Sequence, residues 1–340
     1  MASLPITVTL FSIAVFAIGL AGTKMAKVAD RLAEATGLGE AFVGALLLGG
    51  STSLAGIVTS ITAAAHDRPE FAISNALGGI AAQIVFLGIA DLVYSKANLE
   101  HAAASAATLV QAAVLVTLLA ISLLAMTGPP MSVWGIHPAS LIIPVTYLFG
   151  LRLVSEAQRS PMWNPQRTDK TWVEEPSGYE FKRSNSIALW LQFVVLAVIL
   201  AIAGYMVGTA GMSISVQTGL SESLVGGVFT ALSNSLPELV TTVAAVRQGA
   251  LALAIGGALG GSSFDVLLLA FSDLAYRKGS IYHALETQQV FVVALTILMT
   301  GILLLGLLRR EKHGIGNIGF ETVLLMILYV GGFSFLVFRI

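Results

Sequence analysis

Read for hydrophobicity, the chain is a series of long apolar runs separated by short polar breaks. The runs fall near residues 5–23, 40–65, 71–94, 103–127, 136–155, 187–208, 221–246, 251–276, 287–308 and 318–338. A hydrocarbon core about 30 Å thick takes roughly 20 apolar residues of α-helix, so each run predicts one crossing. The runs are continuous, which excludes a β-barrel, whose strands alternate lipid-facing and lumen-facing residues. The longest polar stretch, 156–186, is charged, contains proline and is too short for a core of its own, so it reads as a linker. The expected fold class is an all-α polytopic membrane protein with ten transmembrane helices. A first five-helix unit occupies 1–155, the linker 156–186 and a second five-helix unit 187–340.

Charge then orients the layout. Of the 18 lysines and arginines, fourteen fall on the side of the linker, and only Arg68, Arg277, Lys278 and Arg339 fall on the other. Basic loops mark the cytoplasmic face. The expectation is a multi-pass protein of the plasma (inner) membrane with a cytoplasmic linker and both termini outside. The first run does not read as a cleavable signal: its N-terminal flank lacks Lys and Arg, and Lys24, Lys27 and Arg31 follow it.

Composition narrows the function. Hydrophobic residues make up 56% and charged residues 11%, against roughly 25% charged in globular domains, which excludes a soluble enzyme. A net charge of −1 gives nucleic acid no basic field to bind. With no cysteine there is no disulfide, thiolate metal site or cysteine nucleophile. No HExxH pair, Ser-His dyad or nucleotide loop points to an intramembrane enzyme. The partners left are inorganic cations and the lipid bilayer; no cofactor beyond transported ions is expected, and the oligomeric state is open.

Sliding the chain against itself by 182 residues exposes a repeat. TGLGEAFVGALLLGGSTSLAG from Thr36 faces TGLSESLVGGVFTALSNSLPE from Thr218, and the register continues to Tyr94 and Tyr276 without a gap. Over residues 36–94, 22 of the 59 positions are identical. Five spans is an odd number, so the second copy enters the membrane from the opposite face. Inverted repeats of this kind build transporters whose substrate site lies at the midplane where the repeats meet.

Charged groups at membrane depth are expensive, roughly 2.5–3.5 kcal/mol each on insertion scales, so the few present are informative. Glu238 and Asp265 sit in the middle of the seventh and eighth spans. On a continuous helix Asn234, Ser235, Glu238, Thr241 and Thr242 share one face, and Pro237 frees a backbone carbonyl beside them. Oxygen ligands around a carboxylate suit a hard cation such as Ca²⁺ or Na⁺. The glycine pairs at 78–79, 256–257 and 260–261 read as close helix contacts. His66, Asp67, Arg68 and Glu70 read as a solvated turn, Asp91 and Asp273 as capping or interfacial residues, and Trp163 and Trp172 as interface contacts of the linker.

At SNSLPELVTTVAAVRQGALALAIGGALGGSSFD the chain strongly resembles the cation/Ca²⁺ exchanger superfamily, whose sodium/calcium exchangers carry two inverted α-repeats. The resemblance implies a midplane Ca²⁺ site flanked by Na⁺ sites and alternating access. Ser235, Pro237, Glu238 and Asp265 match the second-repeat motif, Ala231 a backbone-ligand position, and Asn234 stands where Thr is usual. Gly257, Gly261 and Ser262 replace Asn, Ser and Asn. In the first repeat Thr52, Ser53 and Asn75 match, but Gly79 and Ile80 do not, and Ala55-Gly56 stands where Pro-Glu belongs. At the 182 offset Gly56 faces Glu238, and Gln83 faces Asp265. The expected ion-binding set is Glu238, Asp265, Ser235, Asn234, Ala231, Thr52, Ser53 and Gln83. The expected function is secondary antiport of Ca²⁺ or a related cation against Na⁺ or H⁺. A monovalent-cation/proton exchanger and a non-transporting scaffold with a decayed first site are the alternatives.

Overall fold

The computed structural model describes residues 2–36, 49–94, 97–103, 105–166, 168, 171, 186–311 and 319–338. They are nearly all helical: α1 (Leu4–Thr36), α2 (Leu54–Ala65), α3 (Pro69–Val93), α4 (Leu99–Ala102), α5 (Ala106–Thr127) and α6 (Ala139–Arg159) before the linker, and α7 (Ser186–Thr218) after it. Then follow α8 (Glu222–Leu224), a π-helical turn (Val225–Thr230), α9 (Ala231–Asn234), α10 (Leu236–Gln248), α11 (Leu251–Asp265), α12 (Leu267–Ala275), α13 (Thr287–Arg309) and α14 (Phe320–Phe338). Among the described residues 7 helical segments are long and apolar enough to cross a membrane, α11 and α12 together forming one of them.

Two apolar runs are longer as helices than hydropathy expects. The first was expected to stop at residue 23, yet α1 continues to Thr36, so Lys24, Lys27 and Arg31 lie within the helix. Its extension, KMAKVADRLAEAT, is rich in good helix formers and has no Gly or Pro. Met25, Val28 and Leu32 on one face are buried in the clusters that α1 forms with α7. Likewise α7 runs to Thr218.

Two other runs are broken. The 221–246 run is four pieces, parted again at Ser235 between α9 and α10. The 40–65 run, described from Gly49, is interrupted at Ser53 just before α2. The two interruptions lie 182 residues apart. A continuous helix through Asn234–Thr242 is therefore corrected. Pro237 falls in the first turn of α10, where its missing N–H costs little. Thr241 turns its hydroxyl back to the carbonyls of Pro237 and Glu238.

Helix α3 is the buried centre. Residues from Phe71 to Ile84 are buried without exception, and it packs against α2, α9–α14 and the π turn. A Cβ on Gly78 would collide with the Gly227 carbonyl, so glycine there lets α3 meet the π turn backbone to backbone. Outer faces such as those of Phe16, Leu124, Leu141 and Ile187 are exposed and apolar, as lipid requires. The expected turn at 66–68 is present: Arg68 pairs with Glu222, and Lys278 with Asp67 at 3.0 Å. Trp163 is exposed; Trp172 and most of the linker lie outside the described residues.

Candidate cation site

The helix breaks prepare the site. Ser235 and Glu238 are spaced as a capping box, and Ser235 is the N-cap of α10, yet its side chain makes no cap hydrogen bond. Both side chains instead line an internal cavity of about 10 Å³, together with Ser53, Gly56, Asn75, Gly79, Ala231, Asn234, Asp265 and Leu268. That space holds roughly one water-sized particle. In the first half Ser53 is likewise an N-cap without a side-chain cap bond, three residues before Gly56.

Among the described residues the lining contains two carboxylates, Glu238 and Asp265, and no Lys, Arg or His. Among the described residues four buried oxygens of the lining, Ser53 Oγ, Asn234 Oδ1, Glu238 Oε2 and Asp265 Oδ1, have no hydrogen bond of good geometry, although the Ser53 hydroxyl faces the Asp265 carboxyl. Uncompensated buried polar atoms cost on the order of 1–3 kcal/mol each, more when charged. An orphan set that is rich in oxygen and carries negative charge is what a cation ligand set looks like before it is filled.

Surrounding bonds aim these atoms. Asn75 donates to Ser60 Oγ at 2.9 Å and to the Gly56 carbonyl at 3.3 Å. Its Oδ1 accepts from Thr230 Oγ1 at 3.0 Å and from Asn234 Nδ2 at 2.9 Å. Asn234 Nδ2 also donates to Thr59 Oγ1 at 3.2 Å. With its nitrogen committed, the Asn234 oxygen is left for the cavity. Gln83 Nε2 donates to Asp265 Oδ2 at 2.6 Å, and Gln83 Oε1 accepts from Ser262 Oγ at 2.8 Å.

Of the eight residues expected to bind ions, Glu238, Asp265, Ser235, Asn234, Ala231 and Ser53 line the cavity. Gln83 stands behind Asp265 with both ends of its amide engaged. Thr52 bonds to the Gly49 carbonyl at 3.2 Å and interacts with Glu238 without lining the space. Sequence reasoning left Asn75 out of the ion-binding set and passed over Thr59 and Thr230. The 182 offset pairs Asn75 with Gly257, which hides it, although a buried asparagine in an apolar helix is itself a signal.

Broken helices that bring two buried carboxylates and several orphan oxygens to one ion-sized space define a cation transporter rather than an enzyme. The chain belongs to the sodium/calcium exchanger protein family, whose model matches residues 6–150 and 187–338. It is 25% identical over 309 residues to the inner membrane protein YrbG of Escherichia coli, covering 90% of this chain and 87% of that one. It is 25% identical over 315 residues to the putative antiporter CaxA of Alkalimonas amylolytica, covering 91% and 92%. Among solved structures it is similar to the H⁺/Ca²⁺ exchanger CAX, with a TM-score of 0.69 and 15% identity over 96% of this chain and 81% of that one. It is also similar to the sodium-calcium exchanger NCX_Mj, with a TM-score of 0.63 and 17% identity over 98% and 99%. The chain is a multi-pass integral membrane protein of a cation antiporter family.

Proposed function

We propose that the protein is a secondary active antiporter moving Ca²⁺ or a related cation against Na⁺ or H⁺ by alternating access. Two inverted five-helix repeats close around a midplane site, with the linker cytoplasmic and both termini outside. Glu238 and Asp265 supply the charge, while Ser53, Asn234, Ser235 and the backbone around Ala231 supply neutral oxygens; Gln83 and Thr52 position the carboxylates. The observation that carries this reading is the convergence, among the described residues, of four buried oxygens without a hydrogen bond of good geometry, two of them carboxylate, on one cavity with no cationic side chain in its described lining. A scaffold with a decayed site has no need to keep such atoms buried and unpaired. The relatives' printed names, an H⁺/Ca²⁺ exchanger and a sodium-calcium exchanger among them, support both candidate coupling ions.

A monovalent-cation/proton exchanger is the second reading, favoured by the small cavity and by the loss of a carboxylate at Gly56. Proteoliposome flux with a panel of cations, under imposed Na⁺ and proton gradients in turn, separates the two. Ca²⁺ uptake driven by either gradient supports the first reading. Na⁺ or K⁺ movement coupled to protons, with no Ca²⁺ flux, supports the second. Absence of any flux, in protein shown to be folded, returns the scaffold.

A further inference from the structure

Helix α3 ends at a node built on Asp91. Its Oδ1 accepts from the Leu99 amide at 2.8 Å, and its Oδ2 from the Gly319 amide at 3.3 Å and the Thr322 hydroxyl at 3.1 Å. The second half repeats this arrangement at the 182 offset. Asp273 Oδ1 accepts from the Ile281 amide at 2.8 Å, and Oδ2 from the His137 amide at 2.7 Å and the Ser140 hydroxyl at 2.6 Å. Each aspartate ties one helix end to two other segments.

Two further acids enter the first node alone. Glu100 is 1% and Glu321 0% exposed, and the Oε2 of each has no hydrogen-bond partner among the described residues. At the 182 offset the second node has Tyr282 and Ala139 in their places, so the node architecture does not require acids there. Glu321 is nonetheless carefully housed. A Cβ on Gly306 would sit 2.5 Å from Glu321 Cγ, and a Cβ on Gly319 would collide with Glu321 Oε1. Asn98 accepts from the Glu100 amide at 2.9 Å and donates to Glu321 Oε1 at 3.0 Å.

Among the described residues the neighbouring cations are directed elsewhere. Arg310 donates to the carbonyls of Gln166 at 2.7 Å and His101 at 3.0 Å, and to Thr171 Oγ1 at 3.1 Å. Arg309 pairs with Glu311 at 3.7 Å and lies over the Phe320 ring. The His101 ring bonds to the Arg310 carbonyl at 2.6 Å and to Thr168 Oγ1 at 2.8 Å. Among the described residues Asp91 is the remaining charge facing the pair. Buried carboxyls without a counter-charge neutralise by taking up a proton. Burial first, then the charges of Asp91 and Glu321, hold the Glu100 carboxyl well above the usual glutamate range.

We propose that Glu100 holds a proton at neutral pH beside Glu321, forming a second ion-binding site, for H⁺, apart from the cation cavity. A metal ion fits less well, because the Asn98 amide presents a donor to Glu321. Among the described residues no group of at least 3 His, Cys, Asp or Glu side chains is arranged to hold one.

The folded chain then binds a proton that the unfolded chain has released. Stability contributed by the site is complete below the ordinary glutamate range and is lost as pH rises through the raised value. For one proton this amounts to about tenfold in the unfolding equilibrium per pH unit. The test is thermal unfolding of the full chain in nanodiscs from about pH 5 to about pH 9, in a Glu238→Gln, Asp265→Asn background that removes the cavity acids. Glu100→Gln and Glu321→Gln should each flatten the alkaline decline and leave the protein more stable than the background at high pH. Profiles parallel to the background overturn the proposal. So does stabilisation of the background by Ca²⁺ or Mn²⁺ that the Gln variants lose, since the site would then hold a metal. If a Gln variant fails to fold, the infrared carbonyl stretch of a protonated carboxyl at neutral pH decides. Its presence in the background supports the bound proton, and its absence overturns it. These readouts need no transport, so they stand or fall apart from the antiporter reading.

Discussion

Glu238 lies in the first turn of α10, where unpaired backbone N–H groups favour negative charge, and its Oε2 is buried without a hydrogen-bond partner among the described residues. Glu238→Gln keeps the shape and removes the charge, so transport should be lost while the variant stays folded. Flux together with size-exclusion behaviour checks this, and unchanged flux would defeat the site assignment. Gly56 lines the same cavity, and a Cβ there would meet only Leu268 at 3.5 Å and Asn234 at 3.9 Å, both ordinary contacts. Gly56→Glu should therefore be tolerated at its Cβ and add a third carboxylate at the cavity. Tighter divalent binding or stronger Na⁺ coupling is expected, measured by isothermal titration and by flux. No change in either would mean the added carboxylate does not reach the ion. Both residues were legible from the sequence as chemistry; the engagement of Gln83 with Asp265 was not, because it joins side chains 182 positions apart.

Helices here are defined as much by their interruptions as by their apolar faces. The breaks at Ser53 and Ser235 interrupt two hydrophobic runs, and each break brings polar atoms to the cavity. Hydropathy averages over such breaks and reports one span. Close contact is the second element-level requirement. Gly78 of α3 meets the Gly227 backbone, so Gly78→Val overpacks the crossing beside the cavity. Overpacking a tight core costs about 1–3 kcal/mol, with backbone contact at the upper end. A clear fall in melting temperature in detergent is expected, and flux should fall with it as the π turn shifts. A melting temperature equal to that of the unmodified chain would show that the crossing has slack.

Across the whole molecule the count of buried charge limits what one transport cycle carries. Glu238 and Asp265 give the cavity at most two negative charges, and its lining has no cation. An uncompensated charge in a low-dielectric interior costs several kcal/mol. The occupied site should therefore balance about two positive charges, one divalent ion or two monovalent ions or protons. Exchange should be closer to electroneutral than a cycle of three Na⁺ for one Ca²⁺. Flux measured while the membrane potential is clamped by valinomycin at several K⁺ gradients checks this. Steep voltage dependence with a fit to three Na⁺ would refute the charge count.

The sequence alone determined the membrane class, the 182-residue repeat and the two carboxylates, because burial in lipid makes apolar length and stray charge readable one residue at a time. Helix limits were less legible. Lys24, Lys27 and Arg31 ended a hydropathy window, yet α1 buries Met25, Val28 and Leu32 on its other face and continues. Tertiary structure alone decided which polar atoms meet. Asn75, absent from the expected ion-binding set, fixes the Asn234 amide; Gln83 and Thr52 contact the carboxylates from outside the cavity lining; and Asp91 and Asp273 are matched nodes. The physical reason is that hydrophobicity belongs to a local stretch of chain. A hydrogen bond between distant helices depends on their relative placement, and glycine contacts such as that between Gly78 and Gly227 fix that placement only when the whole bundle packs.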